Sequence, residues 1–202
     1  MERIQRTMNF NSLNDKIIYF CKNQLENKGI EKGGMYEYYK IKTDIGEVIS
    51  NYDVFISDFI INRFPNICKI LEPASGIGTL SHLLYLLGYT NVTALEFDPR
   101  RYEANRLLGE FLETKVNLKH NQFPSPELLD YDLIVITNAE NDSNKFSELV
   151  DFIKIYRGDF IFMPGLWEHG MNYATGCSLL IDNNISFIEL EFEVVHIEDK
   201  YE

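Results

Sequence analysis

ICKILEPASGIGTLSHLLYLLGYTNVTALEFDPR, residues 67–100, carries the pattern from which the fold of this chain follows. A short apolar run from Ile67 to Leu71 ends in an acid, Glu72, and gives way to the small-residue loop Ala74-Ser75-Gly76-Ile77-Gly78. An apolar-periodic segment from Thr79 to Leu87 follows, so the order is strand, tight loop, helix. Gly88 suits the position just past the helix, and a second apolar run, Val92 to Leu95, again ends in an acid, Glu96. The unit predicts β-α-β with a carboxylate at the end of each strand.

The loop has to be small because a ligand lying across a strand's carboxyl end comes close to the backbone. A Cβ at Gly76 or Gly78 would obstruct it. The helix that follows offers unpaired N–H groups at its N-terminus to a polar or anionic group. Glu96, about 20 residues beyond the loop, stands where such folds accept hydrogen bonds from ribose hydroxyls. An adenosine-containing ligand is therefore expected.

Two ligand classes fit this geometry. Gly76-x-Gly78-x-x-Ser81 is a dinucleotide fingerprint with a small Ser in place of the third glycine. Glu72-x-Ala74-x-Gly76-x-Gly78 resembles the first motif of class I S-adenosylmethionine-dependent methyltransferases, with Ala74 where that family has its first glycine. The acid favours the second: a carboxylate beside the loop repels a pyrophosphate by ~1 kcal/mol or more at partly screened distances, but suits an ammonium and a sulfonium. The resemblance continues in LEFDPRRYEANR, residues 95–106, and in YDLIVITNA, residues 131–139, and it covers roughly residues 65 to 165. It implies S-adenosylmethionine as cofactor, with Glu72 near the amino-acid moiety and Ala74, Ser75, Gly76 and Gly78 as the loop against it. It also implies Glu96 on the ribose, Phe97 as the apolar neighbour of the adenine, and Asn121 as an adenine contact, although an ordinary turn Asn fits that position equally.

At 202 residues the chain suits one α/β domain with a substantial core. Its 31 acids against 19 bases give a formal charge of −12, which disfavours nucleic acid as a partner. Arg100, Arg101 and Arg106 form the only notable basic cluster, which reads as a solvated helix face. Cys21, Cys68 and Cys177 match no metal or redox spacing and read as buried free thiols. No stretch reaches the ~20 apolar residues that span a bilayer, and the N-terminus lacks a signal-peptide core. A cytoplasmic protein without a membrane partner is expected; nothing in the sequence sets its oligomeric state.

Ahead of the organising unit, Leu13 to Leu25 reads as an amphipathic helix with Ser12 as N-cap. Residues 29–45 hold Tyr36, Tyr38 and Tyr39, which either close over the site or pack against the sheet edge. Thr43 or Asp44 is expected to cap a helix running to about Arg63, ended by Pro65. Beyond the unit, a helix from Pro99 to Leu112, a strand from Lys115 to Lys119, a strand from Asp132 to Thr137, a helix from Asn144 to Tyr156 and a strand from Asp159 to Met163 are expected. Ile185 to Ile197 alternates as a further strand. Residues 1–64 read as an N-terminal helical extension or cap and 65–202 as the cofactor-binding core of one compact unit.

The fold expected is a doubly wound, mostly parallel α/β sheet of the Rossmann-like methyltransferase type. Asn138 and Glu140 follow the fourth strand, and His169 follows the fifth in the loop Pro164 to Gly170. These three are the catalytic candidates, His169 because an imidazole titrates near neutrality. Asn-Pro-Pro-Tyr is absent, which disfavours methylation of base or amide nitrogens, so the acceptor expected is a small molecule or a protein side chain. The alternatives are a non-catalytic subunit that binds S-adenosylmethionine or another adenosine ligand, and an NAD(P)-dependent oxidoreductase.

Overall fold

The computed structural model describes residues 9–25, 40, 42–137, 146–163 and 182. Five helices are used below: α1 (Phe10–Phe20), α2 (Asn51–Arg63), α3 (Thr79–Leu86), α4 (Pro99–Leu112) and α5 (Phe146–Ile155). Five strands, β1 (Ile70–Pro73), β2 (Val92–Leu95), β3 (Asn117–Lys119), β4 (Leu133–Thr137) and β5 (Asp159–Met163), form one sheet. Its order is β3-β2-β1-β4-β5 and every pair is parallel. Strand order reverses between β1 and β4, which opens a crevice outside the carboxyl ends of the strands.

Strands β1 and β2 are buried throughout and β4 nearly so, as a parallel sheet covered on both faces requires. Alternate residues supply the two faces. Ile70, Val92, Leu133 and Val135 pack with Ile56 and Ile60 of α2 and Leu80 and Leu84 of α3. Leu71, Leu95, Ile134 and Ile136 pack the other way, with Leu149, Val150 and Phe152 of α5. Helices therefore lie on both faces of the sheet.

The N-terminal helix is part of the packing. Leu13, Ile17 and Phe20 recur on one face of α1 and bury against Ile77, Leu83 and the α4 residues Ala104, Leu107 and Leu108. Burying such side chains contributes on the order of 1.5–3 kcal/mol each, which holds the extension on the core. Its cap differs from expectation: Asn9, not Ser12, is the N-cap, and the Asn9 side chain accepts from the Ser12 N–H at 3.2 Å. A π-helical turn, Cys21–Leu25, continues α1. Cys21 and Cys68 are buried free thiols, as expected; Cys177 lies outside the described residues.

Helix α2 also starts later than its apolar pattern suggests. Gly46 sits at φ +79° and Ile45 is exposed, so no helix runs through this stretch. Instead Asn14 takes the strap: its carboxamide oxygen accepts from Val48 and Ile49 N–H at 3.0 and 2.9 Å, and its nitrogen donates to the Gly46 carbonyl at 2.6 Å. The helix then opens at Ser50 with a reciprocal capping box to Asp53. At its other end the buried Tyr89 hydroxyl donates to the Ile60 and Phe64 carbonyls, which adds a side-chain stop beside Pro65. Among the described residues no helix is long and apolar enough to cross a membrane. Residues 26–39, with the three tyrosines, and 183–202, with the expected last strand, lie outside the described residues.

Candidate functional site at the carboxyl edge of the sheet

The loop between β1 and α3 is built from left-handed backbone. Ala74, Gly76 and Gly78 take φ of +54°, +59° and +75°. Ala74 thus holds a left-handed conformation that a glycine would adopt without cost, at a strain of ~1–2 kcal/mol for an L-residue. Gly78 is needed for a reason other than the one expected. A Cβ there would meet the Asn105 carboxamide of α4, 2.6 Å from Oδ1 and 2.7 Å from Cγ, so a packed side chain sets the limit rather than a ligand.

Glu72 is 4% exposed and turns back under the loop. Its Oε2 accepts from the Ser81 N–H at 3.0 Å and from the Ser81 hydroxyl. Gly78, the N-cap of α3, has no side chain, so Glu72 supplies the cap from the neighbouring strand. The helix N-terminus is accordingly not open in the way expected, because its Ser81 amide is already taken. Burial is the main cause that lifts the Glu72 carboxyl to about 8; the Ser81 bond opposes the shift and the nearby Asp53 and Glu96 add to it. The acid sits in an acidic neighbourhood.

A carboxylate at a strand's open end is expected to face solvent when no ligand covers it, yet Glu96 is 1% exposed. Its Oε2 accepts from the Gly76 N–H at 2.8 Å, and its Oε1 accepts from the Phe97 and Asp98 N–H groups at 2.9 Å each. One side chain thereby ties the loop after β1 to the turn after β2. Asp98 then caps α4 by accepting from Arg100 N–H, with Pro99 in the first turn. Two arginines of that helix are offset by acids, Arg100 by Asp98 and Arg106 by Glu103 and Glu110, as a solvated face requires, whereas Arg101 buries its Nε.

Phe97 is 57% exposed beside this turn, an apolar ring held at the rim. His120, just after β3, has Nε2 2.8 Å from the Phe97 carbonyl, and its ring packs tilted against Tyr102, centroids 5.2 Å apart. Asn121 is exposed and hydrogen-bonds to Glu127. Glu72, Ala74, Ser75, Gly76, Gly78, Glu96, Phe97 and Asn121 therefore all lie at or just past the carboxyl ends of β1, β2 and β3. Asn138, Glu140 and His169 lie outside the described residues.

Ser81, the small residue of the fingerprint, binds Glu72, and two further polar residues of the site, His82 and Asn105, escape a reading by motif: both His82 and Asn105 are 1% exposed. Both of the latter sit on otherwise apolar helix faces, among Leu80, Leu83 and Leu84 and among Ala104, Leu107 and Leu108. A polar residue in a core-facing slot is the signal that could have found them. Burial holds the His82 imidazole near 4, against bonds to Asn105 that push the other way.

These two groups set opposite slopes of stability with pH. Glu72 binds its proton more tightly folded than unfolded, so its contribution is full below its ordinary 4.5 and is lost as pH rises to about 8. His82 binds its proton less tightly when folded, so its contribution is full above 6.5 and is lost as pH falls to about 4. Only the Glu72 slope acts between 6.5 and 8. Relative to Glu72→Gln, the wild-type chain should therefore lose stability across that interval in urea titrations. A constant difference between the two would show that Glu72 is already ionised in the fold.

No family model matches the chain, and no curated protein does. Solved structures match it. Magnesium protoporphyrin IX methyltransferase (ChlM) from Synechocystis PCC 6803, crystallised with bound SAM, superposes with a TM-score of 0.58 at 12% identity, over 91% of this chain and 90% of that one. The fold is of the class I methyltransferase type. MtNAS in complex with MTA and tNA matches at TM-score 0.46 and 16% identity over 71% of this chain and 51% of that one. The sugar N-methyltransferase KedS8 from Streptoalloteichus matches at 0.45 and 14%, over 59% and 47%. This chain spans about half the length of those two proteins.

Proposed function

We propose that the chain binds S-adenosylmethionine at the carboxyl edge of β1 and β2 and transfers its methyl group to a small-molecule acceptor or a protein side chain. One observation carries the reading: two buried acids, Glu72 and Glu96, flank the same left-handed glycine loop at the switch point of a methyltransferase-type sheet. The ChlM structure is named for a small-molecule acceptor and for bound SAM, which supports both the cofactor and the first acceptor class.

The residues present fit the group. A carboxylate offers about four lone-pair sites, and Glu96 spends three on backbone N–H groups. One site on Oε2 is left for a ribose hydroxyl, and a second hydroxyl has to displace the Gly76 N–H. Because Glu96 is 1% exposed, the loop or the carboxylate must shift to admit the ribose. Phe97 presents an exposed apolar ring next to it, and Asn121 lies past the adjoining strand. Glu72, Asp53 and Glu96 lie close together, and each of them opposes a pyrophosphate and favours a cation when it is ionised. A cation near Glu72 should draw its proton off, so binding of the charged ligand strengthens as pH rises through the neutral range.

When bound, S-adenosylmethionine supplies an activated methyl on sulfur. The chain has only to align the acceptor and, where needed, take its proton. Asn138, Glu140 and His169 are the candidates for those tasks. Calorimetry is the test: S-adenosylhomocysteine and S-adenosylmethionine should bind in the micromolar range or tighter, and NAD and NADP at least tenfold more weakly, a gap of about 1.4 kcal/mol. Tight NAD binding with no response to S-adenosylhomocysteine would replace this reading with the oxidoreductase.

A further inference from the structure

Behind the glycine loop lies a chain of buried polar contacts that touches no proposed ligand atom. Asn105 Nδ2 donates to the Ser75 hydroxyl at 3.1 Å and approaches the Gly76 carbonyl at 3.5 Å. Its Oδ1 lies 2.9 Å from His82 Nε2, and His82 Nδ1 lies 2.6 Å from the Thr114 hydroxyl. A carbonyl can only accept, so the Gly76 contact places the amide nitrogen toward the loop and Oδ1 toward the ring. His82 is then the Nε2–H tautomer, donating to Asn105 and accepting from Thr114. Each end of this chain is fitted with a glycine. A Cβ on Gly78 would overlap the Asn105 carboxamide, and one on Gly109 would come within 3.1 Å of His82 Cε1.

Two leucine-sized apolar residues would fill this space without needing partners, yet the site holds a fully satisfied polar pair aimed at the loop. Gly76 is clasped on both sides of its backbone: its N–H by Glu96 and its carbonyl by Asn105. We propose that His82 and Asn105 are positioning residues of the cofactor loop, the imidazole orienting the carboxamide so that Ser75 and Gly76 keep the shape that receives the ligand. The proposal rests on the S-adenosylmethionine reading of that loop. It assigns the pair a role when Glu96 turns to the ribose and releases the Gly76 N–H, since Asn105 is then the side chain still holding that peptide.

Two variants separate positioning from packing. His82→Leu fills the space without a donor, while His82→Gln places an amide nitrogen about where Nε2 stands. Amide hydrogen exchange at Gly76 and Gly78 in the free protein and calorimetric affinity for S-adenosylhomocysteine are read on both. His82→Leu should accelerate the exchange and weaken the affinity, each at least tenfold, and His82→Gln should stay within about threefold of wild type in both. Val150→Ala, on α5 and outside the cluster that holds Ile77, controls for lowered stability and should leave affinity unchanged. Should His82→Leu not fold, Ser75→Ala removes the loop-side partner of Asn105 and is expected to weaken affinity in the same way. The proposal is overturned if His82→Leu keeps wild-type affinity, whatever its exchange, or if His82→Gln fails as badly as His82→Leu. If wild type itself does not bind S-adenosylhomocysteine, the cofactor reading fails, and accelerated loop exchange in His82→Leu alone still establishes that the pair holds the loop.

Discussion

Gly78→Ala is expected to be among the most damaging single methyl additions in the chain. The position has φ +75°, where an L-residue costs ~1–2 kcal/mol. The new Cβ would also overlap the Asn105 carboxamide, and overpacking of this kind costs ~1–3 kcal/mol. Asn105 cannot swing aside freely, because its two ends are bonded to Ser75 and His82. A loss of about 2–4 kcal/mol in urea unfolding follows, a large share of the ~5–15 kcal/mol of a typical domain. A loss below ~0.5 kcal/mol, the range of an ordinary surface change, would mean that α3 and α4 are not packed this closely.

Glu96→Ala is expected to harm the free protein and the complex together. Removing the carboxylate leaves the Gly76, Phe97 and Asp98 N–H groups without their acceptor; the buried Gly76 donor costs ~1–3 kcal/mol unmet and the two half-buried donors less. Water entering the vacated space offsets part of this, so a loss of about 3 kcal/mol is expected in the absence of ligand. Affinity for S-adenosylhomocysteine should fall at least tenfold on the same sample. The sequence alone suggests a solvated carboxylate whose removal spares the free protein; the 1% exposure and three backbone bonds reverse that expectation. An unchanged melting point with lost affinity would restore it, and lost stability with full affinity would make Glu96 a purely structural acid.

The legible parts of the chain were those where burial and period coincide. Strands β2, β4 and β5 stand within a residue of the apolar runs that announce them, because a parallel sheet needs those runs, whereas β1 starts only at Ile70, three residues into its run, since Ile67 is exposed. Helix starts were read less well. The α2 pattern of apolar residues extends back through Val48 and Ile49, which are buried, but as a strap held by Asn14 some 34 residues away in sequence. The Ser50-x-x-Asp53 capping signal lay in the sequence and outranks the apolar period at that boundary. At the site, the acids and glycines were found by spacing, whereas the bonding of Glu72 to Ser81 and of Glu96 to Gly76 was not. Spacing shows where a group stands; which of its lone pairs are already occupied depends on how α3, α4 and two loops converge. His82 and Asn105 were missed for the same reason, since each is defined by a partner on another helix.

Backbone amide shifts followed by ¹H–¹⁵N NMR during titration with S-adenosylhomocysteine test the placement of the site most directly. Glu96 can receive a ribose only by altering its bonds to Gly76, Phe97 and Asp98, so those three amides, together with Ser75 and Gly78, should show the largest shifts and saturate with one affinity. Saturable binding with those amides unmoved, and the largest changes elsewhere in the chain, would contradict the site between β1 and β2.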